Sequence, residues 1–211
     1  MALFIVYRPI KMNSISCSDQ FGECNANLNS ELSILLGKDI IDAKADIEKI
    51  LEDKVYIKSY SIYYNFPDRL EINIIIRKPK YSIFNRENYM MIDNEGTILE
   101  LKDSSALPTI FHENRFLNVG EQVTSNELFS LELLYDIESI YKIQKAVYNK
   151  NKLDLTMIDG RTVILPVEGD KKVLIGSLVL IIDSLNNTEF KSENVENVQI
   201  IDLRFKNPVL K

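Results

Sequence analysis

The stretch YNFPDRLEINIIIRKPKYSIF, residues 64–84, predicts a β-hairpin that ends at a proline. Apolar residues occupy every second position from Leu70 to Ile76, which is typical of a strand with one buried face. The preceding residues 55–64 are rich in β-branched and aromatic side chains, and Asn65-Phe66-Pro67-Asp68 supplies turn residues between the two runs. Because Pro79 has no amide donor, we expect the second strand to stop there.

The composition limits the possible classes of function. The chain has 211 residues, of which 45% are hydrophobic and 27% are charged, so it has enough apolar material for a packed core. Its net charge of -6 and its pI of about 5.0 argue against nucleic-acid binding, which requires a basic surface. The length is compatible with one large domain or with two small ones.

Two cysteines, Cys17 and Cys24, flank a short polar loop that contains Gly22. A zinc site would need further ligands nearby, and the only histidine, His112, is far away in the sequence. The sequence favours a disulfide, which would stabilise the fold by roughly 2–3 kcal/mol through loop closure and would place the domain outside the cytoplasm. Two unrelated thiols in a reducing compartment are the alternative.

The first residues, MALFIVYRP, contain an apolar run from Ala2 to Tyr7. This run is too short for a membrane span, which takes about 20 residues, and it lacks the basic segment and cleavage site of a signal peptide. Two interpretations remain open at this point. The run is either an ordinary chain end or the outer end of a shortened transmembrane helix.

Residues 11–78 predict the order strand, helix, helix, strand, strand. Residues 11–16 predict a short strand, and residues 29–36 predict a helix that ends at Gly37. A second helix is predicted to begin at Asp42 as its N-cap. One three-stranded sheet with both helices on one face buries all the apolar stripes, which gives an α+β fold class.

Residues 80–211 predict a second region of hairpins and helices. Turns at Asp93-Asn94-Glu95-Gly96 and Asp159-Gly160 predict two hairpins, and residues 107–110 predict an extended segment. The capping box Thr124-Ser125-Asn126-Glu127 predicts a helix to about Gln144. Asp170 predicts the start of a buried helix that is too short to span a membrane. Side chains within residues 198–206 alternate between two faces, which predicts a terminal strand that ends at Pro208.

Catalytic signatures are not recognisable in this sequence. There is no HExxH, no GxSxG and no glycine-rich loop that opens a helix. His112, in the segment IFHEN, is expected to be a surface loop residue rather than a general base. We therefore expect a protein that is not an enzyme and that requires no cofactor or metal.

Several segments occur in an order that matches a known family. NFPDRLEINIIIRKP matches a family signature at six positions: Phe66, Pro67, Asp68, Leu70, Arg77 and Pro79. Ile76 stands where that signature usually has glutamate. ILLGKDIIDAKADIEKILEDKVYIKSYSI precedes the signature, and YMMIDNEGTILEL, LPTI, LTMIDGRTVIL and IDLRFKNPV follow it. Over nearly its whole length the chain resembles the FtsQ/DivIB family of bacterial cell-division proteins.

The resemblance implies a specific domain organisation. Residues 11–79 would form a β-α-α-β-β POTRA-like domain, and residues 80–211 a mixed, mainly antiparallel β domain with flanking helices. Residues 1–10 would be a residual membrane-helix end or a linker, because the family's cytoplasmic tail and transmembrane helix are missing from the sequence. The loop between Cys17 and Cys24 is an insertion relative to most members.

The resemblance also implies a function. The family joins the small membrane proteins FtsB and FtsL outside the cytoplasm and helps to regulate septal wall synthesis without catalysis. The chain would then be the extracytoplasmic part of a single-pass cell-membrane protein at the division septum, with no nucleic-acid or small-molecule ligand. The alternatives are a POTRA-bearing component of protein export or outer-membrane assembly, which handles polypeptides, and a periplasmic-type enzyme.

The terminal strand is the expected partner site. Only residues 207–211 follow it, so its outer edge is expected to be open to an added strand. The resemblance implies that FtsB-like peptides add there, beside the helix that starts at Asp170. The side chains expected to touch the partner are Ile200, Asp202, Arg204 and Lys206. The alternative is an edge that these alternating charges keep free of any partner.

Overall fold

Two compact units, Met1–Arg77 and Lys78–Lys211, make up the chain. The structure is a computed structural model, and it describes residues 10–186 and 198–211. The prediction for the apolar run at residues 2–7 lies outside the described residues. Each unit contains helices and a sheet, so the α+β fold class is confirmed.

The first unit is built on a four-stranded sheet. The strand predicted from Leu70 to Ile76 lies inside this sheet. It pairs in parallel with residues 14–18 and antiparallel with residues 57–65, as expected. The strand order is β2-β1-β4-β3, with a two-residue β2 that the sequence did not predict. The elements are β1 (Ser14–Asp19), β2 (Gly22–Glu23), α1 (Ala26–Ser33), α2 (Ile40–Glu52), β3 (Ile57–Asn65) and β4 (Arg69–Ile76).

The core of the first unit follows from the alternation in β4. Leu70, Ile72 and Ile74 are 2%, 0% and 4% exposed, respectively. Burial of such side chains contributes roughly 1.5–3 kcal/mol each. The residues that pack against them from the two helices lie at helical spacing and are themselves almost fully buried: Leu28, Leu32, Ala43, Ile47 and Leu51.

Several boundaries in the first unit differ from the predicted ones. The first strand begins at Ser14 rather than at residue 11, because Met12 donates its amide to Lys38 in the connection between the helices. Helix α1 begins earlier than predicted, since the side chain of Asn25 accepts from the Leu28 amide. Helix α2 is capped by Asp39 and not by Asp42, because the Asp39 carboxylate accepts from the Ile41 amide.

The turn between β3 and β4 contains a cis peptide bond between Phe66 and Pro67. Phe66 is 84% exposed. The carboxylate of Asp68 accepts from the side-chain amide of Asn13 at 2.7 Å. The strand ends at Ile76, and residues 77–80 belong to no strand, as expected from Pro79.

The second unit is built on a nine-stranded sheet in the order β13-β12-β11-β10-β9-β8-β5-β6-β7. Its buried apolar cluster includes residues from helices and strands alike, such as Leu134, Leu155, Val163 and Ile201. The elements are β5 (Tyr81–Phe84), β6 (Tyr89–Ile92), β7 (Ile98–Lys102), β8 (Thr109–Phe111), α3 (Ser125–Glu138), β9 (Ile143–Asn149), β10 (Lys152–Met157), β11 (Thr162–Leu165), α4 (Lys171–Asn186), β12 (Ile200–Asp202) and β13 (Val209–Leu210).

Both predicted hairpins of the second unit are present. In the first, the Asp93 carboxylate accepts from the amides of Glu95 and Thr97, which holds the turn together. Gly96 has φ +87°, and a Cβ there would lie 3.0 Å from the Val123 side chain. The positive φ therefore favours glycine at this position, and a side chain there would also require the Val123 methyl group to shift.

The predicted capping box is confirmed, whereas the predicted end of the helix that it begins is wrong. Thr124 and Glu127 bond each other's backbone amides at the start of α3. The helix ends at Glu138 and not near Gln144, because residues 143–149 form β9, which pairs with β8 and β10. The sequence analysis did not identify β9 or β5.

Helix α4 is less buried than predicted. Asp170 accepts from the Lys172 amide at its start, as expected. Only Leu178 and Ile182 are buried, whereas Val173 and Leu180 are 62% and 69% exposed. The helix therefore has an apolar exposed side. Among residues 10–186 and 198–211, no helix is long and apolar enough to cross a membrane.

Candidate partner-binding site

The edge of β12 is not open, contrary to the prediction. β12 is only three residues long, and it pairs in parallel with β11 on one side and antiparallel with β13 on the other. Residues 203–206, predicted as part of the strand, lie outside it because the chain turns back there to form β13. The outer edge of the sheet is therefore β13, within the last residues of the chain.

The backbone of β13 has a defined orientation. Ile200 and Lys211 exchange two hydrogen bonds, at 2.9 Å and 3.0 Å, so they form a hydrogen-bonded antiparallel pair. In such a ladder the neighbouring residue points the other way, so the amide and carbonyl of Leu210 face away from β12. These two backbone groups form the exposed edge.

The four predicted contact residues differ in their environments. Ile200 lies in β12 and is partly buried, and Asp202, at the end of β12, is 6% exposed. Arg204 and Lys206 lie in the bend that follows and are exposed. The structure therefore leaves only Arg204 and Lys206 of the four on an exposed surface.

Asp202 and Arg204 form a bidentate ion pair. The Arg204 Nε and Nη2 atoms donate to the two carboxylate oxygens of Asp202 at 2.9 Å and 2.6 Å. The Arg204 amide also donates to Asp202 at 3.1 Å. These hydrogen bonds from Arg204 outweigh the effect of burial and lower the pKa of the Asp202 carboxyl. The pair fixes the bend that leads from β12 to β13.

Replacing Asp202 by Asn should lower the free energy of unfolding of the second unit by about 1 kcal/mol, because one charge-assisted bond is lost. Since the folded pKa of Asp202 is depressed, its contribution is present above the ordinary pKa of 3.8 and is lost as the pH falls through the folded value. Urea unfolding should therefore show a difference in stability between the unmodified chain and Asp202→Asn at neutral pH, and this difference should shrink at acidic pH. Asp103→Asn, at an exposed position, is the control. It should change neither the free energy of unfolding nor the pH dependence of that free energy.

A depression of about 530 Å³ lies between the start of α4 and the end of β12. Its lining combines Arg204 and Leu203 with Val173 and Leu174 of the helix. Because Ile201 and Leu178 belong to one buried cluster, α4 covers the face of the sheet that Ile201 occupies. Leu210 pairs with Ile201 and therefore lies on that same face. Leu210 and the depression lined by Leu203 and Val173 thus lie on one face of the sheet.

The sequence analysis missed the residues that form this surface. Val209 and Leu210 were taken as a short tail, since two residues after Pro208 carry no alternation pattern. The helix after Asp170 was predicted to be buried as a whole, because helical periodicity does not distinguish an apolar exposed side from a buried one. Val173 and Leu180 of this helix are 62% and 69% exposed.

The only histidine lies beside a buried carboxylate. His112 Nδ1 is 3.3 Å from Glu127 Oε1, and the His112 ring is 4.9 Å from that of Tyr148. Glu127 also accepts from Thr124 and Arg115, so its oxygens are occupied by structural contacts. In the described part of the chain, no group of three or more His, Cys, Asp or Glu side chains has the geometry of a metal site.

No protein-family model matches the chain, and no curated protein matches it.

Proposed function

We propose that this chain is a non-enzymatic scaffold and regulator of bacterial cell division, the extracytoplasmic part of an FtsQ/DivIB-like membrane protein. In this proposal it binds FtsB/FtsL-like small membrane proteins by strand addition and links them to septal wall synthesis. The observation that carries the proposal is the outward-facing backbone of β13 at the end of the nine-stranded sheet. The ordered motifs of the sequence supply the identity of the partners.

The geometry of the edge supports a partner that combines a strand with a helix. The two-residue β13 offers few backbone groups, so pairing alone would give weak binding. Further affinity has to come from side chains, and Val173 and Leu180 supply exposed apolar area on α4. A small membrane protein with a helix followed by an extended tail meets both requirements.

The backbone orientation gives a selective test. Leu210→Pro removes an outward donor and leaves the ladder with β12 intact, because a proline is tolerated where the amide faces solvent. We expect this variant to recover at least tenfold less of the FtsB/FtsL-like proteins from solubilised native membranes than the unmodified chain, measured by quantitative mass spectrometry. Leu210→Ala is the matched control, since it keeps the donor and should reduce recovery much less.

A chain ending at Pro208 separates two binding modes. If the partner pairs with β13, this truncation abolishes recovery. If the partner instead pairs with β12, which the truncation uncovers, recovery is kept or increased, and the β13 site is wrong. Equal recovery by all variants, including a chain that ends at Asn197, would refute strand addition at this end of the sheet.

One observation favours a second candidate, a POTRA-bearing component that handles polypeptides during export or outer-membrane assembly. β3, nine residues long, lies at the edge of its sheet, and among the described strands it pairs with β4. Tyr63 and Phe66, at and just beyond its end, are 54% and 84% exposed. Photocrosslinkers at Tyr63 should capture unfolded exported polypeptides if this alternative is correct, and should not if the division function is correct.

A further inference from the structure

Exposed aromatic side chains lie at the end of the first unit where β1 begins. The start of β1 lies beside the turn between β3 and β4, because the amide and the side chain of Asn13 donate to Asp68 at 3.0 Å and 2.7 Å. Phe66, in this turn, is 84% exposed. Tyr64, which ends just before the turn, is 46% exposed.

The connection between helices α1 and α2 reaches the same end of the unit. The Gly37 amide donates to the Met12 carbonyl at 2.8 Å, and the Ile40 amide donates to the Ile10 carbonyl at 2.9 Å. These bonds hold the connection beside the residues that lead into β1. Four aliphatic residues in or next to these segments are 43%, 76%, 44% and 62% exposed, respectively: Ile10, Ile34, Leu36 and Ile41.

We call the apolar end the surface formed by Ile10, Ile34, Leu36, Ile41 and Phe66. Two other exposed apolar residues of the unit, Phe21 and Ile75, lie at the opposite end of the sheet. The Gln20 side chain exchanges two hydrogen bonds with the Ile76 backbone, which places both of them there. Because β1 has six residues, the two ends are roughly 20 Å apart. Exposed apolar area gathered at one end is typical of a contact surface.

The chain that precedes the apolar end connects it to an apolar sequence. Residues 2–7 lie outside the described residues, and their sequence is ALFIVY. Tyr7 and Ile10 are three positions apart, so at most roughly 11 Å of chain separates them. The headgroup layer on each side of a bilayer is roughly 5–8 Å deep. If residues 2–7 enter a bilayer, the apolar end is therefore held in or next to the headgroup layer.

The chemistry of the apolar end suits the boundary between membrane and water. Tyr64 combines a ring with a hydroxyl group, and such side chains are enriched at this boundary. Asp39 accepts from a backbone amide of α2, and Asp68 accepts from the side chain of Asn13, so both carboxylates are bonded within the protein. Lys11 is exposed, and a lysine can lay its methylene groups in the apolar layer while its ammonium group stays among the headgroups.

We propose that the apolar end binds the surface of a lipid bilayer, with Phe66 and the exposed aliphatic side chains among the headgroups. The inference rests on the membrane anchorage included in the proposed function. It adds a lipid contact that the folded first unit makes itself. It does not use β13, so the lipid contact and the partner site can be tested separately.

A single tryptophan tests the lipid contact, because the chain contains none of its own. The full chain carrying Phe66→Trp is mixed with vesicles of palmitoyl-oleoyl phosphatidylcholine. We expect its fluorescence to shift to shorter wavelength and to be quenched by lipids brominated close to the headgroup. Phe21→Trp is the matched control and should show neither effect, since Phe21 is 63% exposed at the opposite end. No shift for Phe66→Trp at millimolar lipid, whether or not the chain sediments with the vesicles, would overturn the proposal.

The affinity for vesicles provides a second measurement. Phe66→Ser should lower the partition coefficient of the full chain into these vesicles by about tenfold, because one large apolar side chain no longer leaves water. Phe21→Ser is the control and should leave the coefficient nearly unchanged. Equal losses in the two variants would contradict a contact made by the apolar end.

Two further outcomes would assign the apolar end to a protein and overturn the lipid contact. The first is a fluorescence shift of Phe66→Trp that grows with protein concentration without vesicles, which would indicate a second copy of the chain. The second is loss of the FtsB/FtsL-like proteins from solubilised membranes in Phe66→Ser. We expect their recovery to be unchanged, because detergent has replaced the bilayer there. Failure of the lipid contact is thereby distinguished from failure of the site at β13.

Discussion

Glu127→Gln should lower the free energy of unfolding of the second unit by about 3 kcal/mol, the largest effect that we expect from a single side chain. The carboxylate is 3% exposed and connects the start of α3 to the segment after β8. It accepts from the amide and hydroxyl of Thr124 at 2.7 Å and 2.9 Å and from Arg115 at 3.1 Å. The neutral variant leaves Arg115, 26% exposed, without its counter-charge. Urea unfolding followed by circular dichroism measures the loss.

Glu132→Gln is the matched control for this prediction. Glu132 lies on the same helix and pairs with Lys171, but both side chains are about one-third exposed. Such a pair contributes about 0–1 kcal/mol, because solvent screens its charges. Equal losses in the two variants would show that burial of the carboxylate is not the cause.

The pH dependence of stability provides a second measurement on Glu127. Burial raises the pKa of this carboxyl, but the bonds from Thr124 and Arg115 outweigh burial and lower it below its ordinary value of 4.5. A depressed folded pKa means that the stabilisation is present above 4.5 and is lost as the pH falls through the folded value. The unmodified chain should therefore lose more stability on acidification than Glu127→Gln does. An unchanged difference between them down to pH 2 would contradict this linkage.

Local patterns in the sequence were sufficient where the element's own residues determine its structure. The alternation from Leu70 to Ile76 correctly predicted a strand with one buried face, because a single face of that sheet packs on helices. The Thr124 and Glu127 side chains correctly predicted the start of α3, since a capping box is satisfied within four residues.

Local patterns failed where pairing with a distant strand decides the structure. The helix was predicted to run to about Gln144, yet residues 143–149 form β9 because strands on both sides bond to them. The cap of α2 could be Asp39 or Asp42 by residue type alone, and the antiparallel bridge between Lys11 and Asp39 decides it. Neither contact can be derived from sequence spacing.

The partner-binding site itself stays a prediction, whereas the strand edge assigned to it was wrong. The prediction placed the site at the end of the last sheet element. It assigned the edge to residues around Asp202, whereas Asp202 is buried in its pair with Arg204 and β13 covers β12. Strand β13 has only two residues and exists because its backbone pairs with β12. Two residues are too few to show an alternating pattern in the sequence.

Removal of the Cys17–Cys24 disulfide should destabilise the first unit by about 2–3 kcal/mol. The bond is present as expected, with Cα atoms 5.4 Å apart, and it closes a loop between residues seven positions apart. A cross-link over so short a loop restricts the unfolded chain by about this amount. Cys17 and Cys24 are also only 8% and 5% exposed, so a Cys17→Ala/Cys24→Ala variant avoids leaving two thiols in the core. Hydrogen exchange at the Ile72 amide in β4 reports the stability of this unit.

The second unit supplies an internal control in the same sample. Leu134 belongs to a separate buried cluster, so exchange of its amide should be unchanged when the disulfide is removed. Faster exchange at both Ile72 and Leu134 would show that the two units unfold together, and the loss could then not be assigned to the first. Labelling of both thiols in the unreduced, folded chain would contradict the bond itself. It would also remove the support that the disulfide gives to an extracytoplasmic location, because a reducing compartment leaves such thiols free.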